Sequence, residues 1–83
     1  MKIVLKDGEV FEGSTALDVL RAMKGATMFS DARTMEDYID LVLRMAKDFE
    51  RVELAVRGNS LEEKAASLVQ SLCETGLAAK GGD

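Results

Sequence analysis

A chain of 83 residues has room for one domain and one modest core. Hydrophobic residues make up 47% and charged residues 31%, an ordinary globular balance, and 11 basic against 15 acidic side chains leave a net charge of −4. There is no histidine, which removes the commonest general base and the commonest metal ligand together.

An acidic chain without a basic block is a poor ligand for nucleic acid or an anionic membrane. The first thirty residues balance Lys2, Lys6, Arg21 and Lys24 against Asp7, Glu9, Glu12 and Asp18, so the deficit lies further on. No apolar run reaches the roughly 20 residues of a membrane helix. The opening MKIVLKDGE carries charge inside its short apolar run and does not read as a signal peptide. Cys73 is the only cysteine, so no intrachain disulfide forms, and a reducing cytoplasm is the expected setting.

Lys2 to Glu12 reads as a hairpin. Asp7-Gly8 suits a two-residue turn, which places Lys6 opposite Glu9, Leu5 opposite Val10 and Val4 opposite Phe11. Gly13-Ser14-Thr15 breaks the strand. Thr15 with Asp18 then starts a helix from Ala16 to Lys24, and Gly25 is placed to end it.

Ala26 to Arg33 connects to the next helix and carries two bulky apolar residues, Met28 and Phe29. They read either as anchors tucked into the core or as an exposed contact patch.

Thr34 to Phe49 is the longest helical pattern. Thr34 is a good N-cap with Asp37 three residues on, and Tyr38, Val42, Met45 and Phe49 repeat at helical spacing. Leu41 and Leu43 widen the apolar arc beyond one stripe, which predicts contacts on more than one side. Arg51 to Arg57, RVELAVR, alternates cleanly and reads as a strand with Val52, Leu54 and Val56 on the buried face. Gly58-Asn59 turns the chain. Ser60 with Glu63 forms a capping box for a helix through Leu61, Ala65, Leu68 and Leu72, and Gly76 followed by Leu77 suits a Schellman ending. Residues 78–83, AAKGGD, read as a flexible tail.

The expected fold is therefore α+β in the order ββααβα: a small three-stranded sheet with three helices on one face, a two-layer sandwich over residues 1–77.

The chemistry is sparse. Cys73 has no histidine to activate it and lies toward a helix C-terminus, where the dipole disfavours a thiolate; a small buried hydrophobe is the simpler role. Glu36–Asp37 and Glu62–Glu63 sit at helix starts, where acids complement the macrodipole. No DxDxDG, GxGxxG or P-loop string occurs. No catalytic residue, metal ligand or cofactor is assigned, and the chain is not expected to be an enzyme.

Two resemblances add to this reading. The stretch RVELAVRGNSLEEKAASLVQSLCETGL resembles the closing strand and helix of the phosphocarrier protein HPr over about a third of the chain. The histidine that carries phosphate in that family is absent, so its activity does not transfer. The opening hairpin, the following helix and Gly81-Gly82 resemble β-grasp sulfur carriers, which implies a carrier role for that pair, although here Asp83 follows it.

The leading expectation is a cytoplasmic protein–protein interaction module that pairs as a homodimer or with another protein, with Met28, Phe29, Leu41 and Leu43 as candidate interface. A chain this short has a thin stability margin, and its central helix holds more apolar residues than one sheet face needs. The alternative is a small-ligand-binding or β-grasp-like carrier domain acting through Gly81-Gly82.

Overall fold

A computed structural model describes residues 1–26 and 34–81. It has an α+β architecture: a three-stranded antiparallel sheet and three helices, of which the first and third pack on the sheet and the second packs against those two. The strands are β1 (Lys2–Leu5), β2 (Val10–Glu12) and β3 (Ala78–Lys80), in the order β2-β1-β3. The helices are α1 (Ala16–Ala26), α2 (Met35–Met45) and α3 (Leu61–Glu74), and α2 runs on into a π-helical turn, Ala46–Glu50. Ile3, Val19, Leu20 and Leu68 are fully buried where β1, α1 and α3 meet. Burying each of these side chains contributes about 1.5–3 kcal/mol.

The hairpin forms with a register one residue away from expectation. Ile3 pairs with Phe11 and Val4 with Val10. Leu5 N–H donates to Glu9 O and Gly8 N–H to Leu5 O, both at 2.8 Å, so the connection holds three residues. Gly8, at φ +96°, takes the positive-φ position of a G1-bulge loop, whereas the two-residue turn would need positive φ at Asp7 as well, which Asp7 does not have. The shift matters because strand side chains alternate between faces. It puts Phe11 beside Ile3 on the helix-covered side and leaves Val10 half-exposed on the other.

The helix ends follow their sequence signals. Thr34 Oγ1 accepts from Asp37 N–H at 3.1 Å, and Ser60 Oγ accepts from Glu63 N–H at 3.2 Å. The Glu63 carboxylate takes the Asn59 N–H at 2.7 Å. Leu77 N–H donates to Leu72 O and Gly76 N–H to Cys73 O, which is the Schellman pattern. One ending differs: α1 continues through Gly25 to Ala26.

The third strand comes from a different part of the chain. Ala78–Lys80, expected as tail, pairs with β1 through Ile3–Lys80, Val4–Ala79 and Leu5–Ala78. The Schellman turn at Gly76 reverses α3 so that the chain end falls beside β1. Lys6 N–H then donates to Leu77 O, and Gly81 N–H to Lys2 O. The segment 51–57 joins no strand. Its alternation survives, with Val52, Leu54 and Val56 half-buried and the odd-numbered residues exposed, but its partner is a helix. Ser71 Oγ on α3 accepts from Ala55 N–H at 3.0 Å, and Ser67 Oγ accepts from Arg57 N–H at 2.9 Å. Serines four apart on a helix are about 6 Å apart along its axis. Alternate residues of an extended chain are about 6.6 Å apart, so the two spacings match.

Candidate functional site

The site is an apolar groove of about 560 Å³ between the hairpin turn and the end of α2. Leu41, Val42 and Met45 of α2 form one wall, and Leu5 and Leu77 beside the sheet form the other. Met23 of α1, Tyr38 of α2 and Leu72 of α3, all buried, lie at its base. Lys6 Nζ meets Glu50 Oε2 at 2.7 Å at the rim, joining the hairpin turn to the π-helical turn. The one-residue register shift makes this pair possible, because it places Lys6 in the turn and not opposite Glu9.

The π-helical turn shapes the open side. In it the backbone bonds from i to i+5, so each residue turns through a smaller angle than in α2. The stripe begun by Tyr38 and Val42 is not continued inward. Phe49 is 78% exposed and Met45 47% exposed, although the helical spacing predicts both on the buried face. Arg51 ends the turn in the left-handed conformation (φ 56°, ψ 37°), and Val52 N–H donates to Ala46 O at 3.0 Å.

The four residues expected at an interface separate. Leu41 lines the groove. Leu43 is half-buried against the core and lies outside it. Met28 and Phe29 lie outside the described residues. The spacing of α2 points to Leu41, whereas the exposure of Phe49 is missed because a π-helical turn has no sequence signature of comparable strength.

Among the described residues, no group of three or more His, Cys, Asp or Glu side chains gathers to hold a metal ion. No helix there is long and apolar enough to cross a membrane. Cys73 is a half-buried free thiol on α3. The chain matches no known protein family, curated protein or solved structure.

Proposed function

We propose that this chain is a non-enzymatic protein–protein interaction module whose groove receives an amphipathic helix with basic flanks from a protein partner. The observation that carries this is Phe49, the most exposed large hydrophobic side chain among the described residues, standing at the lip of an apolar groove. Aromatic and methionine side chains are enriched in interfaces, and methionine repacks readily around different ligands. A groove with two such exposed residues at its edge is open, as helix-in-groove recognition requires. Small-molecule sites instead bury about 70–90% of their ligand. The basic flanks follow from charge. Lys6 is neutralised by Glu50, Asp7 stands beside them at the rim, and the whole chain carries −4. The lone thiol suits a cytoplasmic setting.

The test uses a fluorescent amphipathic peptide with leucines on one helical face and lysines elsewhere, read by anisotropy. Saturable binding that falls about tenfold in Phe49→Ala supports the reading. No saturable binding, or binding indifferent to Phe49→Ala, overturns it. Displacement of a fluorescent fatty acid in place of peptide binding favours a small-ligand site.

A further inference from the structure

We propose that the extended segment 52–57 is a dimerisation strand, pairing antiparallel with the same segment of a second copy about a twofold axis at Ala55. An extended chain points its N–H and C=O groups to alternate sides. Ala55 and Arg57 donate to Ser71 and Ser67, and Ser67 Oγ donates to Ala55 O at 3.3 Å. The serines of α3 thus cover one edge. Leu54 and Val56 present their backbone groups at the other edge, and those groups have no hydrogen-bond partner among the described residues. Such an edge is a template for another strand unless something blunts it. Neither proline nor lysine, two of the usual blunting devices, occurs from Val52 to Arg57, and the two charges there, Glu53 and Arg57, are opposite in sign.

The second copy is the occupant because the segment is complementary to itself. With the axis at Ala55, Leu54 of one copy lies opposite Val56 of the other. The two exchange N–H to C=O bonds on each side of the axis. Ala55 then faces its own copy as a non-hydrogen-bonded pair, with Cα atoms about 4.5 Å apart, which a methyl side chain permits. On the exposed face Glu53 falls opposite Arg57, and the symmetry repeats that pair. Moving the axis to Leu54 sets Arg51 against Arg57. Moving it to Glu53 or Arg57 sets like charges directly opposite, which destabilises strand pairing. Toward the N-terminus the ladder stops at Val52, whose N–H is taken by Ala46 O. Beyond Arg57 it stops at Gly58, which has φ +135°.

The experiment is sedimentation velocity over a concentration series on the full chain. The wild type is expected to dimerise. Glu53→Arg and Arg57→Glu each weaken the dimer about tenfold, because each creates two like-charge pairs. The double variant Glu53→Arg/Arg57→Glu restores it to within about threefold. Ala55→Arg also disrupts it, through crowding at the axis. Phe49→Ala leaves the dimer unchanged, which separates this surface from the groove. A wild-type monomer at every concentration overturns the proposal. So does a dimer indifferent to the single charge changes, or a double variant that fails to recover.

Discussion

Lys6 and Glu50 are 44 residues apart in sequence and 2.7 Å apart between Nζ and Oε2. Their contact ties the hairpin turn to the end of the π-helical turn over the groove. Both side chains are substantially exposed, so the pair contributes little to stability. Lys6→Ala or Glu50→Ala should cost about 0.2–1 kcal/mol in urea unfolding, and the difference from wild type should shrink in high salt as screening grows. A salt-independent loss of several times that size would mean that the turn is held by something else.

The serine clasp should matter more than its polarity suggests. Ser71 is buried on α3, and its Oγ is the partner of Ala55 N–H. Ser71→Ala leaves that donor without its partner and should cost about 1–2 kcal/mol. Ser67 is only half-buried and its bond to Arg57 N–H is open to solvent, so water replaces its hydroxyl more readily and Ser67→Ala should cost less. Chemical denaturation of both variants checks the order, and equal costs would contradict it.

How far the sequence announces this fold depends on what each signal encodes. Caps are local, so Thr34, Ser60 and the Gly76-Leu77 ending are legible. Alternation from Arg51 to Arg57 says that one face is buried. It does not say where the backbone hydrogen bonds go, and here Ser67 and Ser71 stand where a neighbouring strand was expected. Ala78–Lys80 lacks the branched or aromatic residues that mark strands, and it pairs only because the helix before it ends at the right place. In the groove, Leu41 is visible from helical spacing. Phe49 is not, because its exposure depends on a widened last turn.

Two backbone positions give opposite predictions. Gly58 has φ +135°, and a Cβ there would lie 2.5 Å from Glu63 Cβ. Gly58→Ala should therefore lose about 2 kcal/mol or more, from backbone strain and crowding together. Arg51 is the opposite case, a non-glycine residue in left-handed geometry. Arg51→Gly should gain about 0.5–1 kcal/mol, the relief of that strain less the added freedom of the unfolded chain. Thermal unfolding of both variants reads the two signs.

The chain end is structural. A version ending at Leu77 loses the β3 ladder and the buried Ala78 and uncovers one edge of β1. It should lose about 2–4 kcal/mol of stability. A version lacking only residues 82–83 keeps the ladder and should unfold like the full chain. Equal stability of the shorter version would contradict the role of β3.

The most direct test of the interaction account is amide chemical-shift mapping on labelled protein, titrated with the lysine-flanked amphipathic peptide. The account predicts saturable shifts that converge on Leu41, Met45, Phe49, Leu5 and Leu77 and that need about tenfold more peptide in Phe49→Ala. Shifts centred elsewhere, or none at millimolar peptide, would contradict it.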